Sequence, residues 1–477
     1  MSTAPETGRA NKLASKIARD IEAEIVRRGW AVGESLGSEH ALQQRFGVSR
    51  SVLREAVRLV EHHQVARMRR GPGGGLLICE PDAGPATRAV VIYLEYLGTT
   101  LGDLLNARLV LEPLAASLAA ERIDEAGIER LRAVLHAEEQ WKPGFPAPRH
   151  GFHIALAEQS KNPVLQLFVE ILMRLTTRYA LQSRADSASE ALEAVDHMHK
   201  HHAEIVAAVT AADSARAKTL SERHVEAVTA WLQQHRPGAS ATRKPRRRPV
   251  LEAPRAKLAE MLATTIGDDI AASGWRVGSV FGTETSLLER YRVSRAVFRE
   301  AVRLLEYHSI AYMRRGPGGG LVVAKPRPQA SIGTIALYLQ FRKPSREDLR
   351  CVRDAIEIEN VAKVVKRRGE SAVATFLAAH RAAVRGHPEP TAVEESRFHV
   401  GLAQLAGNAP LDLFLRIIVE LFRRHWSSTG QALPTRADAV AVDHAHLRIL
   451  EAIEAGDDSL GRYRVRRHLD AAASWWL

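Results

Sequence analysis

The sequence of 477 residues repeats itself, and this repeat constrains the fold more than any other feature. The run MRRGPGGGL occurs at 68–76 and again at 313–321, an offset of 245 positions. The same offset aligns SRSVLREAVRLVEHH at 49–63 with SRAVFREAVRLLEYH at 294–308. A repeat this long exceeds the unit of a solenoid, so each repeat is expected to fold by itself. We call the two repeats copy 1 and copy 2.

The composition indicates the kind of partner that the chain binds and the cell compartment in which it is expected. Lys and Arg exceed Asp and Glu by 12, which favours a polyanionic partner, although an inert basic surface has the same charge. No apolar run is long enough to span a membrane, and the first residues lack the apolar core of a signal peptide. Cys79 and Cys351 lie far apart and form no disulfide framework or zinc-finger spacing. We therefore expect a cytoplasmic chain.

The first part of each copy has the pattern of a helix-turn-helix. In copy 1, apolar residues recur at helical spacing over 10–28, a short helix is expected at 38–46, and a turn at 47–49 precedes a helix over 50–63. Arg50 and Arg54 lie one turn apart at the start of that last helix, with Val52, Ala56 and Val57 as its buried side. An arginine-bearing helix start suits the major groove of DNA, because the guanidinium can bond guanine in a bidentate way. The alternative is an exposed helix whose arginines form surface ion pairs.

A hairpin is expected directly after this helix. Two short strands, 65–69 and 76–79, flank the glycine-rich run 71–75, and Arg69 and Arg70 lie at its base. A tip without side chains can approach a nucleic-acid backbone or enter a minor groove. An ordinary hairpin loop is the alternative. A nucleotide-binding loop is disfavoured, because no Lys-Ser/Thr pair and no helix follow the glycines.

The second part of each copy reads as a bundle of six or seven helices with matched histidines. In copy 2, Glu395 and His399 share a helix face, and His446 and His468 follow 22 positions apart; this set is typical of a divalent-metal site. Copy 1 keeps three histidines but has Arg149 in place of the carboxylate, and its positive charge should repel a cation. Satisfied core histidines are the alternative in both copies. We expect the neighbouring His197, His199 and His201 to be solvated. The residues of the copy 1 set are Arg149, His153, His202 and His224.

These residues resemble a known family. The run GVSRSVLREAVRLVE followed by RRGPGGG resembles the GntR family of bacterial regulators, and RLVLEPLAASLAA, FHIALAEQSKNP and RHVEAV resemble the ligand-binding domain of its FadR subfamily. The resemblance implies a winged helix-turn-helix joined to an all-α effector domain, and homodimers on an operator with two-fold symmetry. It also implies small organic acids, sugar acids or acyl-CoA esters as effectors. Metal-bearing members use an aspartate and three histidines, and this chain departs from that pattern at Glu395 and at Arg149.

The resemblance also bears on two arginines. Arg108 and Arg353 match an arginine that often faces the effector pocket in the family. Each also precedes a glutamate by four residues, Glu112 and Glu357, so that an ion pair along the helix is the alternative.

The sequence therefore predicts a mainly α fold, with two winged helix-turn-helix domains each followed by an all-α six- or seven-helix bundle. The boundaries are 1–80 and 87–235 for copy 1, a basic flexible linker at 236–253, and 254–325 and 330–477 for copy 2. The predicted DNA-binding residues are His40, Arg50, Ser51, Arg54, Arg69, Arg70, Gly73, Gly74, Thr285, Arg295, Arg299, Arg314, Arg315, Gly318 and Gly319. The predicted effector-binding residues are Arg108, Arg149, His153, His202, His224 and Arg353, and the predicted metal ligands are Glu395, His399, His446 and His468.

The predicted function is a ligand-responsive transcriptional regulator, a repressor, acting on the bacterial nucleoid. Its partners are a double-stranded DNA operator and a small anionic effector, with no membrane partner. The cofactor is a divalent metal of the zinc, nickel or manganese type in copy 2 only, and none in copy 1. The two copies act as a pseudo-dimer within one chain, and two chains could still form a homodimer.

Two other functions are alternatives to a transcriptional regulator. A metal-dependent enzyme would need a nucleophile or base beside the histidines, and no such pair is duplicated, so no catalytic residue is assigned. An architectural DNA-binding protein without an effector is the weaker alternative. We also expect the two half-sites on DNA to differ, since Leu53, Ser51 and His40 on or beside the reading surface become Phe298, Ala296 and Thr285.

Overall fold

A computed structural model describes residues 4–71, 73–141, 151–180, 188–235, 255–386, 392–429 and 436–476. It confirms the predicted fold class, because helices dominate and the short strands occur only in winged domains. The chain divides into two compact units, and each unit contains parts of both copies. We call them the winged unit (Met1–Ile92 and Arg247–Lys343) and the helical unit (Tyr93–Arg246 and Pro344–Leu477).

The first winged domain follows the predicted order of helices and strands. Its elements are α1 (Ala4–Arg27), α2 (Glu39–Phe46), α3 (Arg50–His62), β1 (Ala66–Arg69) and β2 (Gly75–Ile78). The strands pair antiparallel, with Ala66 opposite Ile78, and form the wing. Fully buried Ile25, Leu53 and Leu76 join helices and wing in one core.

The second winged domain repeats this order and adds a strand. Its elements are α11 (Arg255–Ala272), β3 (Val280–Gly282), α12 (Glu284–Tyr291), α13 (Arg295–Tyr307), β4 (Ala311–Arg314) and β5 (Gly320–Val323). The sheet has the order β3-β5-β4. Ile270, Phe298 and Leu321 occupy its core.

Two connecting helices follow the winged domains in the chain, α4 (Ala83–Tyr96) and α14 (Pro328–Arg342). The sequence boundaries assigned most of each helix to the bundle that follows it. Instead, Ile92 of α4 packs in the core of the copy 2 winged domain, and Leu337 of α14 packs in that of copy 1. The connecting helices are thus exchanged between the copies. Periodicity marks the apolar face of a helix but not the surface that covers it.

The helical unit has six helices from each copy among the described residues. Those of copy 1 are α5 (Leu101–Arg122), α6 (Glu125–Glu139), α7 (Gly151–Gln159), α8 (Pro163–Ala180), α9 (Ala188–Thr210) and α10 (Ser214–Gln234). Those of copy 2 are α15 (Arg346–Lys366), α16 (Ser371–Gly386), α17 (Ala392–Ala406), α18 (Ala409–Thr429), α19 (Arg436–Ala455) and α20 (Asp458–Trp476). Capping boxes at Thr100 and Ser345 begin the matched long helices α5 and α15.

The two copies meet inside the helical unit through α5 and α8 on one side and α15 and α18 on the other. The rings of Phe168 and Phe414, at matching positions of the repeat, stack with their centroids 4.0 Å apart. The side-chain amide of Asn162 donates to the backbone carbonyl of Asp348 at 2.9 Å, and that of Asn408 donates to Asp103 at 2.8 Å. The contact is therefore reciprocal. No helix in the described ranges has the length and apolarity needed to cross a bilayer.

Candidate DNA-reading surfaces and histidine sites

Side-chain caps begin both helices of the helix-turn-helix in copy 1, α2 and the recognition helix α3. The hydroxyls of Ser38 and Ser49 accept hydrogen bonds from the first turns of α2 and α3, and Gly47 ends α2 in the left-handed conformation. Ser294 caps α13 in the same way in copy 2. The helix starts are thereby fixed, with their free backbone N–H groups at the end that carries the arginines.

The arginines of the reading surface are exposed in both copies. Arg50 is 70% exposed and Arg295 66%, and Arg54 and Arg299 lie one turn further on, also exposed. Ser51 and Ala296 are exposed on the same turn, as are His40 and Thr285 on the helix before. The predicted contact residues on these helices are therefore free to meet a ligand outside the fold.

Sequence reasoning missed an acidic residue among these arginines. Glu39 bonds Arg50 at 3.0 Å, and in copy 2 Glu284 contacts Arg295 at 3.2 Å and Arg299 at 3.6 Å. The bond from Arg50 holds the pKa of the Glu39 carboxyl below its usual value. Each glutamate directly precedes a predicted contact residue, His40 or Thr285, and that position is the signal that was available. The pairs hold the arginines extended over the helix start without neutralising the whole surface.

One expected difference between the two reading surfaces is wrong. Leu53 and Phe298 were placed on or beside the surface, but they are 0% and 1% exposed and lie in the winged cores. Val52, expected on the buried side, is only partly buried. Ala56 and Val57 are buried as expected, so the buried face of α3 is the predicted one with Leu53 added and Val52 at its edge. The differences that remain on the surface are Ser51 against Ala296 and His40 against Thr285.

The wing is tied to the recognition helix and braced at its tip. Glu61 of α3 accepts a hydrogen bond from the backbone N–H of Met68 at 2.9 Å, and Glu306 does the same for Met313. At the tip, the guanidinium of Arg69 donates to the carbonyl of Gly73 at 3.2 Å. In copy 2, Arg314 donates to Gly318 at 2.9 Å. Arg69 and Arg314, predicted to touch DNA, thus also shape the tip.

The backbone geometry of the tip requires glycines, whether or not the tip contacts DNA. A Cβ at Gly74 would lie 2.4 Å from the carbonyl oxygen of Arg69, and one at Gly319 would lie 2.4 Å from that of Arg314. No side chain fits there without moving the turn. Arg70 and Arg315 remain exposed beside each tip. Between recognition helix and wing runs a groove with four arginines per copy: Arg54, Arg58, Arg69 and Arg70, and then Arg299, Arg303, Arg314 and Arg315.

The three histidines of copy 1 come together in the core of its helical domain. His153 on α7, His202 on α9 and His224 on α10 are each less than 10% exposed, and their ligand nitrogens lie within 4.8 Å of one another. The Nε2 atoms of His202 and His224 are 3.3 Å apart. Burial lowers the pKa of His202 to about 4 and that of His224 well below its usual value. Both rings are therefore neutral at pH 7.

Copy 2 brings its three histidines together in the same way. The Nε2 atom of His468 is 3.3 Å from that of His446 and 3.2 Å from that of His399. Burial lowers the pKa of His468 to about 3. The side chain of Glu395, and all of Arg149 in copy 1, lie outside the described residues, so the fourth group of each site stays a prediction.

Carboxylates orient these rings through their other nitrogens. Nδ1 of His153 lies 2.9 Å from Glu112, and Nδ1 of His399 contacts Glu357. Burial opposes ionisation of both glutamates, but the neighbouring arginine and histidine hold the pKa of each at about 2. An Nδ1–H that faces a carboxylate leaves the Nε2 lone pair pointing at the other rings.

The donor set fits a divalent cation. Lone pairs of neighbouring imidazoles repel one another at 3.2–3.3 Å unless a proton or a cation lies between them. Two imidazole nitrogens on one tetrahedral zinc are about 3.4 Å apart, since each bond is about 2.0–2.1 Å. His399, His446 and His468 would hold such an ion in copy 2. The imidazoles of copy 1 meet the same requirement, so the predicted contrast between the copies rests on Arg149 against Glu395.

The two arginines with alternative roles form the ion pairs along the helix. Arg108 bonds Glu112, and Arg353 bonds Glu357 at 2.5 Å, with all four side chains buried. Each arginine thus reaches its histidine site through a glutamate. Their predicted contact with an effector stays a prediction.

Copy 1 has a further acidic residue that sequence reasoning missed. Glu138 of α6 accepts from Nδ1 of His202 at 2.9 Å and lies 3.5 Å from Nδ1 of His199. His199, expected to be solvated, is only 18% exposed for this reason. An offset of 246 positions aligns the buried Leu131 of copy 1 with the buried Leu377 of copy 2. At this offset, Val384 of copy 2 takes the position of Glu138. Glu138 and His202 are 64 positions apart, and no local spacing links them.

Comparison with known proteins agrees with this architecture. The family profile described as FCD domain matches residues 103–227 and 348–471, together just over half of the chain. The profile described as bacterial regulatory proteins, gntR family, matches residues 13–75. The chain therefore belongs to the gntR family of bacterial regulatory proteins and carries two FCD domains in tandem.

Each of the individual relatives matches a stretch of this chain about as long as one copy. The HTH-type transcriptional regulator LutR of Bacillus subtilis is 30% identical over 199 residues, covering 40% of this chain and 89% of LutR. The Uxu operon regulator of Haemophilus influenzae is 26% identical over 234 residues, covering 46% of this chain and 82% of the relative. Among solved structures, Streptococcus agalactiae GntR is 22% identical, covers 46% of this chain and 99% of that chain, and has a TM-score of 0.33.

These findings settle the class of protein. The chain is a DNA-binding transcriptional regulator of the gntR family and not an enzyme. The FadR subfamily, expected from the sequence, is not singled out, since the relatives include LutR and the Uxu regulator.

Proposed function

We propose that one chain supplies both halves of a DNA-reading pair and represses transcription from a near-palindromic operator in response to a small anionic effector. The observation that carries the proposal is that one compact unit holds two complete reading surfaces. Each has a capped recognition helix, exposed arginines and a braced wing. The reciprocal bonds of Asn162 and Asn408 support pairing of the helical domains within the chain. Tethering keeps such a pair together on dilution.

Footprinting of single-arginine variants tests this pairing. Arg50→Ala should weaken protection of one half-site and Arg295→Ala that of the other, each by about 1–3 kcal/mol if the arginine bonds a guanine. The matched residues of the repeat serve as controls for each other. If both variants weakened both half-sites equally, one chain would not read one half-site with each copy.

The two half-sites should also differ in sequence. Ser51 can bond a base or a phosphate through its hydroxyl, whereas Ala296 cannot, and His40 is replaced by Thr285. Selection from random DNA should therefore return an imperfect palindrome. Equal information in both arms would contradict this part of the proposal.

The histidine sites support an effector-responsive function for the helical domains. We place a divalent cation on His399, His446 and His468 in copy 2, where it would supply positive charge for an effector carboxylate. In copy 1, Arg149 would bind the anionic group directly by charge-assisted hydrogen bonds. Elemental analysis should give one metal per chain, lost in His399→Ala and kept in His153→Ala. Two per chain would show that copy 1 binds a cation despite Arg149.

A further inference from the structure

The connecting helices each complete the winged domain of the other copy. Ile92 of α4 is 7% exposed and lies in the core that contains α11 and α13. A Cβ on Gly267 of α11 would be 3.5 Å from its Cδ1 atom, so the side chain of Ile92 packs directly on the α11 backbone at this glycine. The same position in copy 1 is Glu22.

The converse contact is made by α14. Leu337 is 1% exposed and lies in the core that contains α1 and α3. One turn further, the ring of Phe341 meets that of Trp30 edge to face, with centroids 5.2 Å apart. Ile92 and Leu337 occupy the same position of the repeat, 245 residues apart, so the exchange is reciprocal.

The chain path gives this exchange a consequence. Residues 97–100 are all that separates α4 from α5 of its own helical domain, and residues 343–345 separate α14 from α15. A change in the helical domain of copy 1 therefore acts on α4, whose Ile92 is part of the copy 2 winged core. Close-packed cores respond to such displacements, because few voids can absorb them.

The geometry points to crossed control: the helical domain of each copy governs the DNA-binding domain of the other copy. An effector bound in copy 1 changes the hold of copy 2 on its half-site, and an effector bound in copy 2 acts on the half-site of copy 1. Because the two effector sites differ, two signals reach opposite arms of one operator. This inference rests on the proposed function in assigning half-sites to copies and in assigning different effectors to the two helical domains.

Hydrogen exchange on the full chain tests the packing without DNA or effector. Ile92→Ala should speed amide exchange about tenfold or more in α11 and α13 and leave α1 and α3 unchanged, because the cavity opens in the copy 2 core. Leu337→Ala should give the mirror result, and Ile92→Val is the milder change if Ile92→Ala does not fold. Faster exchange in the winged domain of the same copy would overturn the inference.

Footprinting tests the control. The Arg50→Ala and Arg295→Ala variants first assign the half-sites, and Ile92→Ala should then weaken the half-site that Arg295→Ala weakens. Leu337→Ala should weaken the other. Loss at the same copy's half-site, or equal loss at both, overturns crossed control even where exchange confirms the packing. If the arginine variants assign no half-sites, the proposed pairing fails. The hydrogen-exchange experiment still tests the exchanged packing of α4 and α14, because it does not depend on DNA.

Discussion

The side-chain amide of Asn162 donates a hydrogen bond to the backbone carbonyl of Asp348, 186 positions away and in the other copy. The carbonyl oxygen of the same side chain accepts from the backbone N–H groups of Val164 and Leu165 and so caps α8. One residue thus begins a helix and joins two domains. Asn408 does both at the matching place in copy 2.

Replacement of this amide should weaken the contact between the copies and spare the cap. Asn162→Asp keeps the accepting oxygens but loses the donor, so the carbonyl of Asp348 loses the bond from the other copy at a buried place and keeps only the weaker one from the thiol of Cys351. We expect a loss of about 1–3 kcal/mol in the free energy of unfolding of the helical unit. Urea unfolding followed by circular dichroism measures it, with Asn408→Asp as the matched variant. An unchanged midpoint for both would show that the amides do not hold the copies together.

Adjacent arginines of the wing should affect DNA binding differently. Arg69 is bonded to the carbonyl of Gly73, whereas Arg70 is exposed beside the groove. Arg70→Ala should therefore reduce the slope of log affinity against log salt by about one, as expected for one lost phosphate contact. Arg69→Ala should weaken binding with a smaller change of slope, because it loosens the tip. Titrations at several salt concentrations measure both slopes. Equal slopes for the two variants would assign Arg69 to a phosphate instead.

The carboxylate behind the copy 2 histidines should set metal affinity. Glu357→Gln replaces the acceptor that orients His399, and loss of such a partner commonly costs about 10–100-fold in affinity. Competition with a chromophoric chelator measures the affinity for zinc. Glu112→Gln in copy 1 is the matched control and should leave it unchanged. Thermal melts check that both variants fold. Weaker binding in Glu112→Gln alone would place the metal in copy 1.

The buried histidines should make the metal-free protein sensitive to acid. Their pKa values are lowered by burial, to about 4 for His202 and about 3 for His468. The unfolded chain therefore binds more protons than the folded one below pH 6.5, and stability present above that pH is lost as the pH falls towards 4. The effect is of the order of a few kcal/mol.

Two carboxyls oppose this trend. Burial raises the pKa of Asp354 to about 6 and that of Asp412 above its usual value, so their contributions are present at low pH and lost as the pH rises through the raised pKa values. Urea midpoints of chelator-treated protein between pH 7.5 and 4.5 should nevertheless fall with acidification, since several histidines act against two carboxyls. A midpoint that is constant over this range would contradict the burial of neutral histidines.

The repeat and the capping residues predicted much of the fold, because both are local signals. Ser49 and Gly47 mark the helix-turn-helix through hydrogen bonds within a few positions. The face of α3 was less well defined. Leu53 has the i, i+3, i+4, i+7 spacing of the buried Ala56, Val57 and Val60, so periodicity indicates the core face more correctly than the assumed reading surface does.

Partners distant in sequence could not be predicted. The amphipathic patterns of α4 and α14 are the same whether Ile92 and Leu337 pack within a copy or across copies. Glu138 meets His202 only because α6 packs on α9. The convergence of three histidines was predictable because both copies have a histidine at each of the three places, the last two 22 positions apart in each copy.

Beside their matching bonds to Asp348 and Asp103, the two asparagines make different additional contacts. Asn408 also donates to the side chain of Asn106 at 3.0 Å, whereas Asn162 approaches the sulfur of Cys351, the matching residue, at 3.3 Å. In a homodimer, one codon change alters both sides of a two-fold interface at once. In a fused pair the two sides mutate separately, so one half can drift or specialise while the other preserves the contact. Its subunits also cannot be exchanged for those of a paralogue, and both halves are always inherited and expressed in equal number.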